Sequence, residues 1–312
     1  MTNQPFLQEV ENDSGLNNLK STQDWLKENK IFIELKLEEH GAIIFKDLPV
    51  KTAEDFDQFV STFNYETFTY EESLSNAVRI NKTDKVFTAN EAPREVEIFL
   101  HHEMAQTPTY PKNIFFFCKS ASETGGETPL CRSDQLYEAL LKADKALVES
   151  FEKFGVIYNS IMSSEDELIS GQGRSWQKTL GVSSKNDAEE KLSKLGYSWN
   201  WIEDDNLSVT TKTLQATKEL GNGQKSFFNQ VIAASLGWKK NSENQIVPVR
   251  FGNGEEIKES YIELINELAQ SLTLLRSWQD HDILLIDNYR VMHGRKPFAG
   301  NKNREVLVSL TN

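Results

Sequence analysis

Residues 97–106 read Glu97-Ile98-Phe99-Leu100-His101-His102-Glu103-Met104-Ala105-Gln106. An apolar approach ends in two histidines and a glutamate, in a chain with only five histidines. If Leu100–Glu103 is extended, successive side chains point to opposite faces. His101 and Glu103 then share one side and His102 takes the other. An imidazole and a carboxylate two residues apart on a strand can occupy adjacent coordination positions on one metal ion. A third ligand is available at His293, 192 residues downstream, beyond the apolar strand Ile283–Ile286 and the turn signal Asp287-Asn288.

Two imidazoles and one carboxylate on one face of a metal are the ligand set of non-haem iron(II) oxygenases, with coordination positions left open. The same set also serves catalytic zinc in hydrolases, although the chain has no HExxH stretch. The C-terminal tail narrows the choice. From Asn288 to Arg304 there is no acidic residue, while Arg290, Arg295, Lys296, Lys302 and Arg304 fall there. In a chain of formal charge −13 this is a local inversion of sign, suited to an anionic ligand. Arg304 stands just before an apolar strand, Val306-Leu307-Val308. A guanidinium pointing inward there needs a carboxylate partner, and such a charge-assisted pair contributes roughly 1.5–3 kcal/mol.

Working outward, Ala42–Phe45 reads as a buried strand between Gly41 and Pro49, and Asn113–Lys119 as a strand buried on both faces. Thr52 caps a helix whose Phe56, Phe59, Val60 and Phe63 recur at helical spacing, with Asp55 completing a capping box. Further helices are expected over Ser21–Leu37, Asp134–Phe154 (with Ser133 as cap) and Glu256–Leu275, and two strands, Ile283–Ile286 and Val306–Leu310, close the chain. Residues 160–250 are polar, with scattered tryptophans and no linker to set them apart, and read as an irregular insertion over the core. Strands at both ends with helices between them predict an α+β class, a sheet-based core decorated by helices.

The bulk properties bound the function. The negative charge opposes non-specific binding to nucleic acid or anionic membranes. No apolar run approaches a membrane span, and the polar, acidic start lacks the pattern of a secretory signal. Cys118 and Cys131 sit in no CxxC pattern and are expected to be buried thiols, consistent with a cytoplasmic protein.

Four elements in order, HHEMAQ (101–106), GGETP (125–129), LLIDNYRVMHGR (284–295) and REVLVSL (304–310), resemble the taurine dioxygenase and clavaminate synthase-like family. The resemblance runs from about Gly41 to the C-terminus. It implies a double-stranded β-helix (jelly-roll) core with flanking helices, in one domain spanning 1–312 with approximately 155–255 inserted over the active site. It implies His101, Glu103 and His293 as Fe(II) ligands, Thr128 as a hydrogen-bond partner of 2-oxoglutarate, and Arg304 as the residue that pairs with its far carboxylate. The segment Met104–Pro111 would help cover the substrate, and Asp287-Asn288 would orient the His293 segment. The implied reaction couples O2-dependent decarboxylation of 2-oxoglutarate to hydroxylation of a substrate C–H bond. Glu103 argues against halogenation, because halogenating relatives lack a carboxylate there.

For the substrate, Arg174 within Gln172-Gly173-Arg174-Ser175-Trp176, Asn229 beside Phe227-Phe228, and Arg290 and Arg295 flanking His293 are the candidate contacts. They suit a small polar molecule carrying a carboxylate, an amino acid or derivative, free or tethered to a carrier protein. Two alternatives stand beside this reading: a non-catalytic jelly-roll protein that binds metal and 2-oxoglutarate, and a zinc hydrolase.

Overall fold

The computed structural model describes residues 6–68, 74–75, 77–166, 173–238 and 246–312. Its centre is a six-stranded sheet in the order Leu7–Val10, Ala42–Phe45, Ile283–Asp287, Asn113–Ser120, Glu305–Thr311, Phe87–Thr88. Only the first pair is parallel; the others run antiparallel. Period-two alternation sorts this sheet's side chains into two cores. Ile43, Phe45, Phe115, Phe117, Ile283 and Leu285 point to one face, where Leu26, Ile33 and Leu37 of helix Leu19–His40 and Phe56, Phe59 and Val60 of helix Ala53–Ser61 cover them. Ala42, Ile44, Ile114, Phe116, Leu284 and Ile286 point to the other face.

That second face meets a four-stranded sheet in the order Thr273–Arg276, Thr128–Arg132, Val291–Arg295, Ile98–His101. Leu130 and Val291 supply its side of the shared core. Its outer face, through Leu100, Cys131 and Met292, is covered by helices Ser133–Ala143, Lys145–Phe154, Val231–Gly237 and Glu259–Ser271. The architecture is therefore mixed α and β, with two sheets face to face and helices outside both.

The expected elements are present, with instructive differences. The Thr52 and Asp55 capping box forms as anticipated. The helix expected over Asp134–Phe154 is two helices broken at Asp144, whose extended backbone (φ −152°) ends the first while its carboxylate accepts the Leu147 amide and starts the second. Ser133 is not the cap: it is the first helical residue, and its amide and hydroxyl both donate to the Arg290 carbonyl. The helix expected to reach Leu275 stops at Ser271, because Thr273–Arg276 pairs as an edge strand with Thr128–Arg132. Backbone pairing there outweighs helix propensity and leaves Leu275 54% exposed. The chain closes on four strands, two more than expected: Val291–Arg295 and Phe298–Ala299 lie between Ile283–Asp287 and Glu305–Thr311.

The stretch 160–250 is far from irregular. Val156–Met162, Leu207–Thr210 and Ser198–Trp201 form an antiparallel sheet with Val249–Phe251. Met162, Trp176, Leu180, Leu192, Tyr197 and Val209 make a core cluster of its own. Among the described residues no helix is long and apolar enough to cross a membrane.

The break at Asp144 gives a direct test. Asp144→Ala removes the cap of the second helix and should lower the unfolding free energy by about 1 kcal/mol, read as a shift of the urea midpoint at constant slope.

Candidate active site

His101 ends the strand Ile98–His101, and the register of that strand with Val291–Arg295 pairs it directly with His293. Their ring centroids are 4.4 Å apart. Glu103 lies past the strand, in a turn in which Met104 takes a positive φ of 59°, a conformation that costs a non-glycine residue energy unless its surroundings hold it. The Thr107 hydroxyl donates to the Met104 carbonyl (2.9 Å). Asn288 clamps the turn: its Oδ1 accepts the Glu103 amide (2.8 Å), and its side-chain NH2 donates to the carbonyls of Glu103 and Pro111 (3.0 and 2.8 Å). Ligand atoms of His101, Glu103 and His293 then all lie within 4.8 Å of one another.

The chemistry of each group suits a cation. The Nδ1 of His101 lies 2.8 Å from the Phe99 carbonyl, so the neutral ring carries its proton there and Nε2 keeps a free lone pair. Desolvation pushes this imidazole down to about 4, so it is neutral at pH 7. For Glu103, burial alone would raise the pKa. The adjacent Arg79, reinforced by His293 and His101, holds the carboxyl well below the usual range. Arg79 binds Oε1 at 2.8 Å, while Oε2 faces Nε2 of His293 at 3.5 Å. One carboxylate oxygen is therefore oriented by a guanidinium and the other is turned toward the two imidazoles. His102 points to the opposite side, packs on Phe228 (4.6 Å) and meets the Asn288 carbonyl through Nδ1. Burial lowers it to about 3, which fits a structural role.

The three residues line a cavity of ≈ 120 Å³ together with Thr128, Arg295 and Arg304, several times the roughly 10–15 Å³ that one water needs. The hydroxyl of Thr128 accepts from the Trp278 indole (2.9 Å), which leaves its own proton to donate. Arg304 reaches the Gly126 carbonyl at 3.3 Å and lies over the Phe298 ring, yet its Nε is buried without a hydrogen-bond partner. Burial depresses its pKa, and among the described residues no carboxylate pairs with it. A buried cation in this state is stabilised by an incoming anion. Gly126 makes room for it: with φ +73°, any Cβ there would lie 3.0 Å from the Arg304 Nε. Donors, cavity and unpaired guanidinium together fit a divalent iron and a dicarboxylate.

The remaining sequence candidates fall elsewhere. Arg295 lines the cavity, but its two Nη atoms are spent on the carbonyls of Asn90, Ala92, Pro93 and Val96. Arg290 is outside the cavity walls, ion-paired with Asp287 at 3.2 Å. Asn229 is fully buried and bonded to the Ala216 carbonyl and the Val231 amide, again outside the walls. Arg174 donates to the carbonyls of Ser75 and Lys178 and braces the cavity wall from behind. Each of these three polar side chains has internal partners and stands outside the cavity walls. Gln172 lies outside the described residues. The sequence reading gave no site role to Arg79, Trp238 and Trp278, none of which belongs to a motif with a fixed spacing to the histidines, whereas Gln106 falls within HHEMAQ and Gln230 directly follows Asn229.

Two packed sheets that bring paired histidines, a carboxylate and an unsatisfied arginine into one cavity are the frame of an Fe(II)- and 2-oxoglutarate-dependent dioxygenase. The chain belongs to the taurine catabolism dioxygenase TauD, TfdA family, whose sequence pattern matches residues 7–310. It is 32% identical over 286 residues to a clavaminate synthase-like protein of Arabidopsis thaliana, covering 91% of this chain and 86% of that one. It is 27% identical over 289 residues to the dapdiamide synthesis protein DdaC of Enterobacter agglomerans, covering 88% and 83%. Among solved structures, asparagine oxygenase in complex with Fe(II), 2S,3S-3-hydroxyasparagine and succinate superposes with a TM-score of 0.56 at 9% identity, covering 94% of this chain and 83% of that one, a likeness of fold. The enzyme accordingly uses Fe(II), 2-oxoglutarate and O2, and the zinc-hydrolase and non-catalytic alternatives are set aside.

Gly294 follows His293, and a Cβ there would stand 2.4 Å from the Ile98 carbonyl oxygen. Gly294→Ala must push the two histidine strands apart. Fe(II) affinity, followed by anaerobic calorimetry, should fall at least about tenfold while the far-ultraviolet circular dichroism stays that of the wild type.

Proposed function

We infer that His101, Glu103 and His293 hold the iron, that Thr128 and Arg304 hold 2-oxoglutarate, and that the enzyme hydroxylates a C–H bond of a small amino acid or amino-acid derivative. The observation that carries this reading is the buried Arg304 guanidinium, without a carboxylate partner among the described residues, in the same cavity as the three convergent ligands. With iron and 2-oxoglutarate bound, O2 would be the oxidant, one oxygen atom going to succinate as CO2 is lost from 2-oxoglutarate and the other to the substrate C–H bond. The protein's part is positional. Arg304 fixes the far carboxylate of the cosubstrate, Thr128 donates one hydrogen bond to it, and Arg79 keeps Glu103 ionised and aimed. Trp278 orients Thr128 from behind, and Phe116 packs edge-on against His293 at 5.3 Å, keeping water from that side of the ring.

The two facing sheets support a double-stranded β-helix core. Residues 155–255 are an insertion of a single oxygenase domain, because Gln230, Ala233 and Trp238 from it complete the cavity wall. Amino-acid chemistry is supported by two relatives, one named for dapdiamide synthesis and one whose structure holds 3-hydroxyasparagine. The basic lining of Arg79, Arg295 and Arg304, facing the single carboxylate of Glu103, also favours a substrate with a carboxylate of its own. A free amino acid meets this requirement, whereas an aminoacyl group tethered to a carrier as a thioester has lost its α-carboxylate, and a panel of each distinguishes them.

The test is an anaerobic titration of the metal-free protein with Fe(II) and then 2-oxoglutarate, followed by the visible charge-transfer band of the chelate. Wild type should develop the band and lose it on admitting O2, with succinate released. Arg304→Ala should raise the 2-oxoglutarate needed for the band by about tenfold or more, the loss of a pair contributing roughly 1.5–3 kcal/mol, with Fe(II) affinity unchanged. His101→Ala should lose Fe(II) binding itself. Equal effects of both substitutions on iron would refute the division of roles.

A further inference from the structure

Behind the iron cavity lies a second, smaller space of ≈ 40 Å³, and the two share Gln106 and Trp238 as walls. Its far side is built by the inserted sheet and the cluster beneath it: Ser160, Met162, Leu180, Tyr197 and Val209. The polar groups around it are largely engaged already. The Thr107 hydroxyl donates to the Met104 and Thr109 carbonyls, Tyr158 accepts the Gln230 amide, and Thr211 accepts the Tyr158 amide. What remains to meet an occupant is the apolar surface of Met162, Leu180 and Val209, beside the hydroxyls of Ser160 and Tyr197.

The shared wall carries a further polar group. The side-chain carbonyl oxygen of Gln106, Oε1, is buried with no hydrogen-bond partner among the described residues. A buried acceptor left unpaired costs roughly 1–3 kcal/mol, so it is a place where a donor from a ligand is worth most. The turn through Glu103 and the left-handed Met104 places Gln106 there, and the Asn288 clamp and Thr107 hold that turn. The residue that orients the metal-site carboxylate thus also fixes this acceptor.

Building on the functional reading above, we propose that the substrate spans both spaces: an amine or amide N–H donates to Gln106 Oε1, its reacting carbon stays in the iron cavity, and a small apolar side group enters the second chamber. At ≈ 40 Å³ the chamber accepts a group the size of about three or four waters, a branched alkyl end and not an indole, since one water takes roughly 10–15 Å³. The substrate class is then an aliphatic α-amino acid or its N-linked derivative, in preference to a sulfonate or a dicarboxylic acid.

Calorimetry on protein loaded with Mn(II) and N-oxalylglycine, a redox-inert substitute pair, separates the two levels of the argument. If wild type fails to bind this pair, the oxygenase-site assignment itself is wrong. With the pair bound, L-leucine, glycine and 4-methylpentanoate (leucine without its amine) serve as probes. Wild type should bind leucine at least about tenfold more tightly than either of the others. Gln106→Leu should weaken leucine about tenfold and leave 4-methylpentanoate unchanged, because the acceptor and its donor act as a pair. Ser160→Leu, at a half-buried position that can take the larger side chain, should weaken leucine about tenfold and leave glycine unchanged. Binding of the metal and oxalylglycine pair by each variant verifies that the site is folded. The proposal is overturned if wild type binds none of the probes, if glycine matches leucine, or if Gln106→Leu weakens leucine and 4-methylpentanoate alike.

Discussion

The whole arrangement depends on the register between the strands Ile98–His101 and Val291–Arg295. Register in a sheet is all or nothing for the side chains it presents, because a slip of one residue turns every side chain to the opposite face. Here it sets His101 directly across from His293, residues that sequence distance alone would never bring together. The pairing is irregular just after this contact: Arg295 pairs with Ile98, so Phe99 and Leu100 together stand opposite Gly294 and the bulge lies in the strand Ile98–His101. Glycine is required at position 294 because the Ile98 carbonyl occupies the space of a side chain. Asn288 then ties the turn before the second histidine to the backbone of Glu103, so the third ligand is fixed to the same frame. The cost of bringing the three candidate ligands together is thus met in the fold.

Electrostatics divides the buried arginines into those that build and those that receive. Arg295 has its Nη atoms bonded to main-chain carbonyls and holds the segment 90–96 against the sheet. Desolvation and the neighbouring Arg304 lower it to about 10, still charged at neutral pH. Arg79 is matched by Glu103. Arg304 has one long hydrogen bond, a buried Nε and an aromatic ring beneath it. Three guanidiniums of one chemical type, within one cavity, therefore have three different roles. Only the partners around each, not its place in a basic run, decide which is open to a ligand.

That distinction marks how far the sequence could be read. The continuous apolar runs of Ala42–Phe45 and Asn113–Lys119 and the capping box at Thr52 were legible because local physics decides them. The convergence of His101 and Glu103 was also legible, though its expected cause was not the observed one. Strand alternation places His101, but Glu103 is past the strand and is brought round by a left-handed residue and the Asn288 clamp. The edge strand Thr273–Arg276 was hidden because its apolar residues also suit a helix, and the choice was made by a partner strand distant in sequence. The inserted sheet was hidden because its strands mix polar and aromatic residues: Ser198–Trp201 has no fully buried position. Arg290, Asn229 and Arg174 looked like ligand contacts since a sequence shows that a polar side chain exists and not where its acceptor is.

The same logic explains why the insertion belongs to the site. An iron cavity walled only by the two sheets would stand open beside Gln106 and leave a buried acceptor next to solvent-accessible metal chemistry. Val231–Gly237 packs on the outer face of the histidine sheet through Val231, Ile232 and Ala234. It presents Ala233, with Trp238 just beyond it, as cavity wall. One short helix therefore couples the packing of the outer core to the closure of the reaction space. Excluding water there strengthens each charge–charge contact inside. It also makes the unpaired groups, Arg304 above all, costly until a ligand satisfies them. An anion that binds the Arg304 guanidinium adds to the stability of the folded state.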